Sequence, residues 1–179
     1  MVGELDVLAI VSERLVAIRV QFMLTGSYAM AYYATPRMTR DIDLVVALGE
    51  ADVDRIVATF APDFYIDADD ARTAVKSRRL FNLLHLASGV KVDFIIRKDT
   101  EYRQIEFSRR KAVELGGVRT WIVSLEDLVL SKLMWARDAG SELQRRDVRA
   151  LLHESVDKAY LEHWAVRLDV ADMLKELSQ

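Results

Sequence analysis

The chain contains no cysteine. Disulfides, thiolate metal ligands and thiol nucleophiles are therefore excluded, and the composition fits a reducing compartment. No uncharged apolar run approaches the ~20 residues that a membrane-spanning helix needs. The opening MVGELD lacks a basic segment running into a continuous apolar one, so no signal peptide is expected. These absences make a cytoplasmic protein with no membrane association the expectation. Internal repeats and low-complexity linkers are missing as well. So is an overall basic field: 25 Lys and Arg stand against 28 Asp and Glu, a formal net charge of -3. With no recognised binding motif either, a plain nucleic-acid-binding protein is disfavoured. Local basic clusters do exist, at Arg37 with Arg40, at Lys76 with Arg78 and Arg79, and at residues 109–111.

What is present is ordinary globular material. Of 179 residues, 51% are hydrophobic and 30% charged, enough for one core with a small appended subdomain. Residues 5–20 repeat apolar side chains at a helical period, and QFMLTG reads as a short buried strand stopped by Gly26. Residues 27–33 read as the first turns of a helix, which Pro36 ends or turns outward. Residues 41–48 form a strand, 51–60 an amphipathic helix and 64–66 an edge strand. DDARTAVKSRR is a short helix or a lid-like loop. FNLLHLA and VKVDFIIR are strands joined at Ser88-Gly89. A short helix over 101–109 and a strand pair around Gly116-Gly117 follow.

From Ser124 the pattern is helical, opening on a capping Ser with acids in the first turn. Two or three further helices are expected over roughly 143–153, 158–168 and 170–177. The expected fold class is α+β or α/β, a small mixed twisted sheet flanked by helices. A core over 1–123 would carry a helical tail over 124–179, packed on the core because so short a segment buries little alone.

One stretch carries chemistry: LTGSYAMAYYATPRMTRDIDLVVAL, residues 24–48. In a strand, Asp41 and Asp43 share a face while Ile42 and Leu44 point the other way. Two anions that close raise each other's pKa unless a cation is near. A second apolar strand, KVDFIIR, embeds a single acid, Asp93. If the strands are neighbours, three carboxylates meet, an oxygen-ligand set suited to magnesium or manganese. Such a set can hold two ions across a phosphoryl transfer. The plainer alternative is strand-end carboxylates that cap loops. Gly26 and Ser27 supply a tight turn and a helix start whose free N–H groups suit phosphate. Ser is also simply a good N-cap.

Taken together, this stretch resembles the signature of the polymerase-beta-like nucleotidyltransferase superfamily: strand, Gly-Ser, a spacer, then Asp-hydrophobic-Asp. The ordered match covers residues 22–96, with thirteen residues between Ser27 and Asp41. The resemblance implies a nucleotidyltransferase fold in which Asp41 and Asp43 bridge metal ions and the triphosphate. It gives Asp93 the catalytic metal and a part in activating the acceptor hydroxyl, and Gly26-Ser27 the phosphates. SLEDLVLSKLMWARD followed by RRDVRALL looks like the C-terminal motifs of bacterial abortive-infection and toxin-antitoxin nucleotidyltransferases. There a Lys and an Asp on successive tail helices approach the nucleotide pocket, which corresponds here to Lys132 and Asp147. A surface Lys and an interhelical salt bridge are their alternative reading.

The expected activity is transfer of an NMP from an NTP, ATP among the candidates, to an acceptor hydroxyl, dependent on Mg2+ or Mn2+ and releasing pyrophosphate. The acceptor is an RNA end such as that of tRNA, a protein side chain or a small molecule. The rival is a non-catalytic nucleotide-binding or partner-binding member of a toxin-antitoxin-like pair. Arg37 and Arg40, on the loop feeding the D-x-D strand, are candidates to contact phosphate or acceptor, with salt bridges the alternative. His85 reads as a core histidine. Tyr28, Tyr32 and Tyr33 read as helix-to-sheet packing, and Trp121, Trp135 and Trp164 as core or tail-interface anchors.

Overall fold

Buried residues at Leu8, Val11 and Leu15 line one side of helix α1 (Glu4–Ala17), whose start is fixed by the Gly3 N–H donating to the Asp6 carboxylate at 2.8 Å. The computed structural model describes residues 2–34 and 41–179. Strand β1 (Phe22–Leu24) is wholly buried and leads into helix α2 (Gly26–Tyr33). Strand β2 (Asp41–Val46) alternates half-exposed and buried residues, as a strand with one covered face must. A single 3-10 turn precedes helix α3 (Val53–Phe60). Strand β3 (Phe64–Ile66), helix α4 (Ala68–Ser77), strand β4 (Leu80–His85) and strand β5 (Lys91–Ile96) come next. Helix α5 (Glu101–Ser108) and the hairpin of β6 (Lys111–Leu115) and β7 (Val118–Ile122) complete the sheet region. The tail is four helices, α6 (Leu125–Ala139), α7 (Glu142–Leu152), α8 (Lys158–Arg167) and α9 (Ala171–Leu177).

The lid-like alternative for the stretch after Tyr65 is settled in favour of helix. Asp67 accepts from the N–H groups of Asp69 and Asp70, both at 2.9 Å, and the helix ends at Arg78 with φ 53°. Ser141 and Asp157 start α7 and α8 by the same kind of capping bond.

Among the described residues, seven strands join in one open mixed sheet in the order β3-β4-β5-β2-β1-β7-β6. β2 runs parallel to β5, and β1 parallel to β7; the other pairs are antiparallel. One face carries Leu24, Ile42, Leu44, Phe81, Phe94 and Ile122, all buried. Helix α1 lies on this face, joined to β7 by a 3.1 Å hydrogen bond between the hydroxyls of Ser12 and Thr120. So do α3, whose Phe60 ring stacks edge-on against Phe94, and α4. The other face carries Asp41, Asp43, Lys91 and Asp93. There α2 lies beside β2 with α6 and α7 next to it, while the β4 end stays open, with Leu80 and Leu84 exposed. The architecture is thus the expected α+β fold with a C-terminal run of helices. No described helix is long and apolar enough to cross a membrane.

Two tryptophans depart from expectation. Trp164 is a buried anchor against Tyr102, but Trp135 is 56% exposed on α6. Trp121 is more than a third exposed, with the Arg110 guanidinium over its ring. His85 is buried as expected, with Nδ1 2.8 Å from the Ser88 hydroxyl.

The tail is tied to the sheet region by buried polar groups. Asp127, fully buried on α6, accepts from Arg109 Nε at 3.0 Å, from the Ser124 hydroxyl at 2.6 Å and from the Tyr160 hydroxyl at 2.7 Å. The Arg109 guanidinium also stacks on Tyr160, 3.8 Å from the ring centre, and reaches Glu126. One turn away, Arg103 and the Ser131 hydroxyl both donate to the buried Glu106 carboxylate. Tyr33 donates its hydroxyl to the Val123 carbonyl at 2.8 Å, fixing α2 against the segment that opens the tail.

Candidate active site

The parallel pairing of β2 with β5 sets Asp43 directly opposite Asp93, and Asp41 opposite Lys91. Period-two alternation then puts all four side chains on the face away from α1. The three acids expected to meet do share one face. At Asp43, burial, then Asp93, then Asp41, push the carboxyl up from 3.8 to about 6, while Lys91 and Lys132 pull the other way.

Gly26 explains how Asp43 is held. Its φ is +62°, and a Cβ built there would stand 2.0 Å from Asp43 Oδ2. Only glycine satisfies both the left-handed backbone and that contact. The turn is pinned to β2 by the Thr25 N–H, which donates to the Asp43 carbonyl at 2.9 Å. Ser27 follows, buried, at the start of α2. The first amides of that helix therefore begin where the Asp43 carboxylate lies, a meeting of acid and helix N-terminus that suits a metal-bound phosphate.

Asp93 accepts from Asn82 Nδ2 at 3.0 Å, a partner supplied by β4. The Lys91 ammonium lies 3.2 Å from Asp41 Oδ2 and 3.2 Å from Asp93 Oδ2. Lys132 is buried and donates to Asp147 at 2.6 Å and to Gln144 at 2.9 Å, an ion pair between α6 and α7. The surface alternative for Lys132 does not hold; the interhelical pair does, and its charge is felt at Asp43. Arg37 and Arg40 lie outside the described residues.

Lys91, Asn82 and Gln144 escaped the reading of the sequence. A signal for Lys91 existed: it lies two residues before Asp93 and so shares its face. Nothing local marks Asn82 or Gln144.

Among the described residues no group of three acidic or histidine side chains is gathered as a metal-holding set. The chemistry of the face still fits a hard divalent cation. Its donors are carboxylate oxygens, burial and then the neighbouring Asp93 and Asp41 raise the Asp43 carboxyl, and an ammonium already bridges Asp41 and Asp93.

Comparison with known proteins gives the family and the fold. The family model described as "Nucleotidyl transferase AbiEii toxin, Type IV TA system" matches residues 13–172. No curated protein matches. Among solved structures, an antigenic nucleotidyltransferase-like protein from Paracoccidioides brasiliensis is similar, with TM-score 0.59 and 16% identity over 96% of this chain and 92% of that one. A putative nucleotidyltransferase from Thermotoga maritima gives TM-score 0.53 and 19% identity over 79% and 90%. The lincosamide antibiotic adenylyltransferase LnuA, in its lincomycin-bound form, gives TM-score 0.53 and 12% identity over 84% and 96%. At these identities the structural likeness concerns the fold.

Proposed function

The chain belongs to this AbiEii family of nucleotidyl transferases, and we propose that it transfers an NMP from an NTP to an acceptor hydroxyl with the help of Mg2+ or Mn2+. In that step the acceptor oxygen bonds to the α-phosphorus, the bond to the bridging oxygen of the β-phosphate breaks, pyrophosphate leaves, and the hydroxyl proton passes to a carboxylate or to water. The observation that supports it most is the pairing of Asp43 with Asp93 beside the Gly26-Ser27 turn.

In this reading Asp41, Asp43 and Asp93 would hold the divalent cations. When bound, such ions polarise the α-phosphate, lower the acceptor's pKa and neutralise charge on the leaving group. Asp43 would face the triphosphate, since it lies against the start of α2. The α2 amides and the Ser27 hydroxyl would take phosphate oxygens. Asp93, held by Asn82, would orient toward the acceptor and take its proton. Lys132 would lend positive charge from the tail side, positioned by Asp147 and Gln144. Arg37 and Arg40 are proposed to approach phosphate or acceptor.

The open β4 side leaves room for an RNA end, a protein side chain or a small molecule. The family's description as a toxin and LnuA's description as an antibiotic adenylyltransferase make both macromolecular and small-molecule acceptors worth testing. The full chain incubated with each α-labelled NTP, with Mg2+ or Mn2+, and with RNA, protein or small-molecule pools should label one pool and release pyrophosphate. No label in any pool and no pyrophosphate would overturn the enzymatic reading.

A further inference from the structure

Lys91 is the one member of the acid face that the proposed reaction does not use. It stands opposite Asp41 across the β2–β5 ladder and shares a face with Asp93. Its Nζ is 3.2 Å from a carboxylate oxygen of each. An ammonium prefers about 2.7–2.9 Å to a carboxylate oxygen, so this is a bridging position between two anions and not a tight pair with either. A bridging cation of higher charge would want the same two oxygens. Magnesium needs them at about 2.0–2.1 Å, and no ammonium fits beside a divalent ion at that spacing.

We infer that Lys91 is a displaceable counter-ion: it neutralises Asp41 and Asp93 in the metal-free protein, competes with the divalent cation for the same oxygens, and swings out when that cation enters. The inference rests on the proposed metal-dependent reading. The side chain has the freedom this requires. It is 37% exposed, and its flexible stem lies on the open part of the sheet, beside its exposed β4 partner Leu84. Lys132 has no such freedom, being buried and held by Asp147 and Gln144. The two lysines that face Asp43 are therefore unlike. One is fixed in the tail wall, and the other is a placeholder on the sheet.

The device has a physical rationale. Three like charges on neighbouring strands repel, and a metal-free protein without Lys91 would lose stability at the centre of its sheet. The cost is weaker metal binding, which sets a threshold cation concentration below which the acids stay occupied by the protein's own ammonium. Lys91 acts through the acids and is a positioning residue.

Mn2+ binding to the full-length chain, measured by titration calorimetry without nucleotide, tests this directly. Lys91→Met should bind Mn2+ at least about fivefold more tightly than the wild type, the factor that one partly exposed ion pair commands. Lys91→Arg, which keeps the charge, should stay within about twofold of the wild type. In metal-free buffer Lys91→Met should melt below the wild type and recover when Mn2+ is added; Lys91→Gln serves if methionine disturbs folding. Unchanged or weaker Mn2+ affinity in Lys91→Met, with wild-type binding intact, would overturn the inference and leave the nucleotidyl-transfer reading standing. Absence of Mn2+ binding in both proteins would overturn the metal reading and this inference with it.

Discussion

Two aspartates, Asp127 and Asp43, show what one residue type can be used for. Asp127 is fully buried, yet every direction it faces offers a donor: Arg109, the Ser124 hydroxyl and the Tyr160 hydroxyl. Asp43 is set against two more carboxylates and against a glycine that leaves no side chain between them. The first arrangement compensates burial completely and fastens the tail to α5 and the sheet region. The second gathers like charge on one face, which Lys91 and Lys132 offset in part. A buried acid ringed by donors is architecture, and one crowded by other carboxylates is the arrangement that the proposed metal-dependent reading needs.

That contrast breaks first at Asp127. Asp127→Ala removes the common partner of Arg109, Ser124 and Tyr160, and should cost about 3–5 kcal/mol in urea unfolding. A loss below about 1 kcal/mol would mean the node is ornamental. Asp43→Asn should act in the opposite sense. The Asp43 carboxyl is raised in the folded protein, so its contribution is complete below the unfolded value near 4 and is lost as pH rises through about 6. The amide variant should therefore be more stable than the metal-free wild type at pH 7, by up to about 3 kcal/mol. The difference should vanish below about pH 4, while nucleotidyl transfer is abolished. A variant that is less stable than wild type at pH 7 would show that Asp43 is structural like Asp127. The smallest effect on stability belongs to Gly26→Ala. Its left-handed backbone costs about 1–2 kcal/mol, but the added Cβ must push Asp43 aside. Activity should fall far more than stability, as read by transfer rate alongside melting temperature.

Asp41, Asp43 and Asp93 were legible because strand periodicity is local: an i, i+2 pair in an apolar run points one way whatever the tertiary fold. Their lying on one face needed only that two apolar strands be neighbours, and β2 and β5 are. The helices of the tail were equally readable, since Ser124, Ser141 and Asp157 announce their starts. The Asp127 node was not readable. In the sequence it is a first-turn acid after a capping Ser, and only the distant Arg109 and Tyr160 make it a buried hub. Lys132 was singled out, but its burial was not, because a lysine's environment is set by the helix that packs over it. Trp135 misled for the converse reason: its aromatic bulk suggests an anchor, yet it faces outward.

The three-residue strand β1 lies between β2 and β7, and its Leu24 pairs with Ile122 far along the chain. Contacts of such long sequence separation form late and slowly. During synthesis β1 has a partner on one side as soon as β2 emerges, but its other edge stays open until β7 has been made. Helix α6, with Lys132, follows only then. A nascent or truncated chain therefore carries all three acids before it has the wall that faces them. The order of the chain thus sets an order of assembly, the acids first and Lys132 after them.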